Sequence, residues 1–132
     1  MNTYLKLSSL LLLAVSLLSC GQTDAQQVKH MSVREVHDLL AKDTNVFLLD
    51  VRTEGEFRSE HLRGAYHIPV DELEARIAEI PTSKKVIAYC RTGNRSTHAA
   101  EILQQHNISA PTMDGGIMEW QAEGFEIEKA SH

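Results

Sequence analysis

Lys85-Val86-Ile87-Ala88-Tyr89-Cys90-Arg91-Thr92-Gly93-Asn94-Arg95-Ser96 joins an apolar run to a cysteine and then to a short polar, basic segment. Lys85 to Tyr89 reads as a strand buried on both faces. Ser96 to His106 reads as a helix with Ala99, Ala100 and Leu103 turned inward, ending near Asn107. Cys90 therefore stands where a buried strand passes to a helix through Arg91, Thr92, Gly93, Asn94 and Arg95. In such a loop the backbone N–H groups can point inward, and the helix N-terminus adds partial positive charge. Both lower the pKa of a thiol at the loop's start, as do nearby arginines. Gly93 can adopt φ > 0, which lets a tight cradle close without a Cβ clash. A thiolate facing an anion-binding nest is a layout for nucleophilic attack on an anionic substrate.

The segments around this one alternate strand and helix. A short strand is expected over Gln27–Met31, then a helix capped by Ser32 and Glu35, with Val33, Val36, Leu39 and Leu40 on one face. Val46-Phe47-Leu48-Leu49 is a second buried strand. A short helix over Glu54–Glu60, a strand over Ala65–Ile68 and a helix over Asp71–Ile80, stopped by Pro81, come next. Ala110–Met113 and Ile117–Ala122 supply a last strand and helix, with Ile117, Met118 and Trp120 read as core. The pattern predicts an α/β domain: a central, mainly parallel sheet flanked by helices on both faces. In a parallel sheet the strand ends share the carboxyl edge, so Asp50 and Cys90 are expected on one rim.

Composition bounds the function. The chain has 132 residues, 13 basic and 18 acidic, for a formal net charge of −5. One domain fits that length. Hydrophobic residues make up 42% and charged residues 23%, a globular balance. The acidic surplus argues against nucleic acid as a partner, because no basic face is available for phosphates. The seven histidines do not cluster with cysteines or carboxylates at ligand spacing, so no metal site is expected. Two cysteines cannot build a disulfide framework.

The first of them lies outside the domain. Residues 1–19 carry Lys6 and then the apolar run Leu10 to Val15, continued by Leu17 and Leu18, with no acidic residue before Asp24. The run reads as a signal peptide rather than a membrane span. Leu17-Leu18-Ser19-Cys20-Gly21 resembles the lipobox of bacterial lipoproteins, which implies lipidation at Cys20. Residues 20–27 are then a polar tether, and residues 28–130 the domain. The expected protein is exported and held at a membrane by its lipid, with the domain on the periplasmic or cell-surface side. Cys90 would be its one unmodified thiol, which marks it for chemistry.

Leu49-Asp50-Val51-Arg52, Glu56-Phe57, His61-Leu62-Arg63-Gly64-Ala65, Ile68-Pro69, Cys90 to Ser96, and Gly115-Gly116 followed by Trp120 occur in that order. Together they resemble a single-domain rhodanese, a sulfurtransferase fold, over about residues 28–127. Glu60 departs from the family, which usually has Gly before the histidine. The resemblance implies a ping-pong sulfur transfer that needs no metal or organic cofactor. Cys90 would take sulfane sulfur from thiosulfate or a similar small anionic donor and hold it as a persulfide in the amides of residues 91–95. It would then pass the sulfur to a thiol, a protein or cyanide. Arg91 and Arg95 would bind the donor's oxygens, while Asp50, Arg52 and Ser96 would support the loop. His61 is expected to fix a turn rather than act as a base.

Two other readings remain open. A persulfide carrier or partner-binding module would use the same loop without free turnover. A cysteine phosphatase or arsenate reductase belongs to related folds, but phosphatase loops place five residues between Cys and Arg. Only four separate Cys90 from Arg95.

Overall fold

The structure is a computed structural model describing residues 26–130. The expected signal peptide and Cys20 lie outside the described residues, as does most of the tether. Strands β1 (His30–Met31), β2 (Val46–Asp50), β4 (Tyr66–His67), β5 (Lys85–Tyr89) and β6 (Thr112–Met113) form one sheet in the order β1-β6-β5-β2-β4. Every pairing in it is parallel. Strands β2 and β5 are the centre, running in register from Val46 beside Lys85 to Asp50 beside Tyr89.

Strand periodicity divides the core in two. Successive side chains point to opposite faces, so Leu49, Val51, Val86 and Cys90 join one buried cluster. Leu48, Ile87 and Tyr89 join the other. Helix α3 (Asn94–Gln105) covers the first face with Ala99 and Leu103. Helices α1 (Val33–Lys42) and α4 (Gly116–Ala122) cover the second with Val33, Val36, Ile117 and Trp120. The expected capping box at Ser32 and Glu35 is present. No helix among the described residues is long and apolar enough to cross a membrane.

The differences from expectation have physical causes. The segment expected as a helix over Asp71–Ile80 is a 3-10 helix over Glu74–Glu79, broken at Arg76 (φ −114°, ψ 18°). Its i→i+3 bonds, such as Arg76 N–H to Leu73 O at 3.0 Å, rise further per residue than an α-helix. That lets Leu73 and Ile80 both reach the core across one short connection. Met118 is 47% exposed rather than core, because Ile117 and Trp120 occupy the inward face of α4 three residues apart. Helix α3 starts at Asn94, two residues earlier than the sequence pattern indicates, since Gly93 at φ 115° turns the chain directly into it. Beyond the main sheet, β3 (Glu60–His61) pairs antiparallel with β7 (Glu128–Lys129). The helix ahead of β3 is α2 (Glu54–Ser59).

Candidate active site

Cys90 follows β5 directly and is 1% exposed, one face of it in the core and its sulfur in the turn that leads to α3. The Gly93 N–H donates to Sγ at 3.1 Å. Burial pushes the thiol up, but hydrogen bonding from the Ser96 hydroxyl and from the Ser96, Gly93 and Thr92 amides outweighs it. The net result holds Cys90 below its ordinary value.

The loop offers its amides to sulfur because its carbonyls are taken elsewhere. Ile117 N–H donates to Cys90 O at 2.9 Å and Met118 N–H to Arg91 O at 3.2 Å. These are first-turn amides of α4, which have no partner within their own helix. The approach demands glycine: a Cβ on Gly116 would lie 2.4 Å from both carbonyl oxygens, and its φ is +58°. Gly115-Gly116, quoted above for the resemblance alone, is thus the clamp on the back of the loop.

Ser96 is completely buried, its Oγ 3.1 Å from the Gly93 carbonyl and 2.5 Å from Thr112 Oγ1. A hydroxyl has one proton and two acceptor sites. If Thr112 donates to Ser96, the Ser96 proton is left for the Gly93 carbonyl or for the sulfur. Thr112 is also fully buried, and nothing local in the sequence ties it to Ser96. Its only signal there was a polar residue inside an otherwise apolar strand.

Asp50 and Arg52 are 0% and 2% exposed and bind each other through Nε and Nη2 at 2.6 to 3.1 Å. Arg52 also donates to Glu60 O at 2.7 Å and lies 5.7 Å from the centre of the Tyr89 ring. The parallel register brings Asp50 beside Tyr89, the residue before Cys90. Burial and the Asp50 charge push the Tyr89 hydroxyl up, so it stays neutral and accepts a bond from Leu62 N–H at 3.1 Å. The pair braces the end of β2 against the chain at Glu60. Glu60, the departure noted above, sits at φ −162°, extended backbone that any residue adopts.

The two loop arginines differ. Arg91 is exposed and forms no ion pair among the described residues. Arg95 sits in the first turn of α3 and gives Nη1 and Nη2 to the two oxygens of Glu56, each at 2.8 Å. Glu56 also closes the capping box of α2, accepting from Thr53 N–H at 3.0 Å and Thr53 Oγ1 at 2.9 Å. The Arg95 hydrogen bonds hold the Glu56 carboxyl well below its ordinary range, down to about 2. In the sequence Glu56 stands only in the Glu56-Phe57 pair, and it is the fold that connects it to the loop. His61 bears on Phe57 O at 2.9 Å and Glu128 at 3.1 Å, away from the thiol. Thr92 and Asn94 are exposed on the loop's outer side. No cluster of three or more His, Cys, Asp or Glu among the described residues has the geometry to hold a metal.

Residues 32–123 match the profile of the rhodanese-like domain. A protein of Allochromatium vinosum named as a sulfurtransferase is 32% identical over 101 residues, covering 76% of this chain and 94% of that protein. An HTH-type transcriptional regulator of Mycobacterium tuberculosis is 31% identical over 88 residues. That alignment covers 65% of this chain but only 39% of the regulator. Among solved structures, a rhodanese-like domain protein of Staphylococcus aureus superposes with a TM-score of 0.69 at 27% identity, covering 77% of this chain and all of that one.

Proposed function

Because this chain belongs to the rhodanese-like family, we propose that it is a sulfurtransferase that moves sulfane sulfur through a persulfide on Cys90. The observation that carries the proposal is a thiol held below its ordinary pKa by converging amides at the carboxyl end of a buried strand. The thiolate attacks the outer sulfur of thiosulfate or a similar donor. The donor's S–S bond breaks and its sulfite leaves with the bonding pair. The charge on the new terminal sulfur then meets the same N–H groups that held the thiolate. An acceptor thiol or cyanide attacks that terminal sulfur, and the Cys90 thiolate is the leaving group. The hydrogen bonds that lower the thiol's pKa favour its ionised form ahead of attack.

Export and lipid attachment at Cys20 complete the proposal. The support is the uncharged apolar run, the lipobox-like Leu17 to Gly21 and the polar segment that follows. Detergent partitioning of the full chain expressed in a bacterium tests it; an aqueous protein with unmodified Cys20 sinks the anchor alone.

For the activity, the full chain and its Cys90→Ser variant are assayed for thiosulfate:cyanide transfer and for one added sulfur atom by mass spectrometry. Turnover lost in the variant supports the enzyme. A stable persulfide with negligible turnover supports a carrier. Neither signal overturns both.

A further inference from the structure

Three arginines lie in or beneath the Cys90 loop, and two of them are already neutralised. Arg52 is paired with Asp50 at 2.6 Å, buried beyond the reach of solvent. Arg95 has both terminal nitrogens on Glu56, whose own position is fixed by the α2 capping box. A bidentate carboxylate uses the guanidinium fork that an oxyanion would need. Arg95 and its carboxylate together present no net charge to a ligand. Of the three, Arg91 alone has no ion-pair partner among the described residues, and it is exposed on the loop.

This balance suits some sulfur donors better than others. Thiosulfate brings two charges, spread over three oxygens that need cations beyond the amide ring. An organic persulfide, R–S–SH, brings at most one charge, and that charge sits on the sulfur being transferred. The amides of the Cys90 loop are sufficient for it.

We propose that Glu56 is a specificity-determining residue: by neutralising Arg95 it tunes the site toward organic persulfide donors and away from dianionic ones. The inference rests on the sulfurtransferase reading above and names its donor class. The step balances without any oxidant. The Cys90 thiolate attacks the outer sulfur of R–S–SH, the S–S bond breaks, and the thiolate RS⁻ leaves. That thiolate takes the proton of the new persulfide, giving RSH and an ionised Cys90 persulfide.

The test compares donors on the full chain, with cyanide as the common acceptor. The probes are thiosulfate, the persulfide of N-acetylcysteine methyl ester, which has no carboxylate, and persulfidated serum albumin. Wild type is expected to show a higher kcat/KM for the small persulfide than for thiosulfate. Glu56→Gln keeps a residue that still completes a capping box but releases the Arg95 charge. One unpaired cation acting on one additional negative charge, at about 10 Å and an effective dielectric near 20, moves the donor preference roughly tenfold. The thiosulfate-to-persulfide ratio should therefore rise by roughly that factor, through KM for thiosulfate. Glu56→Gln/Arg95→Gln restores local neutrality and should return the ratio toward wild type, which a merely structural role for Glu56 does not predict. Thermal melting of each variant checks that it is folded. Turnover of the small persulfide but not the albumin persulfide places the donor among small thiols, and the reverse places it among proteins. A wild type that prefers thiosulfate, or a ratio unmoved by Glu56→Gln, overturns the inference and leaves the sulfurtransferase reading standing. A chain that acquires no sulfur from any probe overturns that reading instead.

Discussion

Replacing Gly116 with alanine perturbs the reacting thiol from behind, through backbone alone. The added Cβ lies 2.4 Å from the carbonyl oxygens of Cys90 and Arg91, where ordinary contact begins near 3.4 Å. The loop must therefore recede by about 1 Å, and both oxygens belong to rigid backbone rather than to a side chain that can swing away. Displacement of a reacting group by about 1 Å costs on the order of 10²-fold in rate. A second cost arises because Gly116 sits at φ +58°, which adds about 1–2 kcal/mol for any residue with a Cβ. Gly124 separates the two costs. It sits at φ +79° with no atom within 4 Å of its would-be Cβ, so Gly124→Ala carries the backbone cost and no collision. Sulfur transfer and urea unfolding, measured on both variants, give the answer. We expect Gly124→Ala to lose about 1–2 kcal/mol with its rate nearly intact, and Gly116→Ala to lose more stability and about 10²-fold in kcat. Equal stability losses, with Gly116→Ala turning over within twofold of wild type, would falsify the claim that α4 holds the loop in place.

Iodoacetamide alkylation across pH should place the Cys90 thiol below the free value of about 8.5. Ser96→Ala removes the hydroxyl that helps to hold the thiol down and should raise that titration, with Thr112→Val moving it in the same direction by less. Asp50→Asn leaves the Arg52 charge buried without its partner and should cost about 3–5 kcal/mol in chemical denaturation; a loss under about 1 kcal/mol contradicts the bracing role. Glu56 has a folded pKa of about 2, below its ordinary 4.5. Its contribution to stability is therefore full above pH 4.5 and is lost as pH falls toward 2. Acid titration of Glu56→Gln should show a shallower loss in that window than wild type, and superimposable curves refute the linkage.

What the sequence made legible and what it hid follow from the range of the interactions involved. Strands β2 and β5 could be read because a strand buried on both faces must be apolar at every position, and Val46 to Leu49 and Val86 to Tyr89 nearly are. The Ser32 cap was equally plain, since both partners lie three residues apart. The cysteine and its loop were visible for the same reason: thiol, glycine and helix start are consecutive. The hidden features all join distant positions. Glu56 meets Arg95 across 39 residues and Ser96 meets Thr112 across 16. The Gly116 contact with the Cys90 carbonyl spans the whole of α3 and β6. No local pattern encodes such distances, because they are set by the order in which parallel strands line up in the sheet. The sequence could thus name the nucleophile, while the groups that set its charge environment emerged only with the fold. Arg95 shows the consequence: adjacent to the cysteine loop in sequence it reads as a ligand for the donor, yet in space its guanidinium is already bound to Glu56.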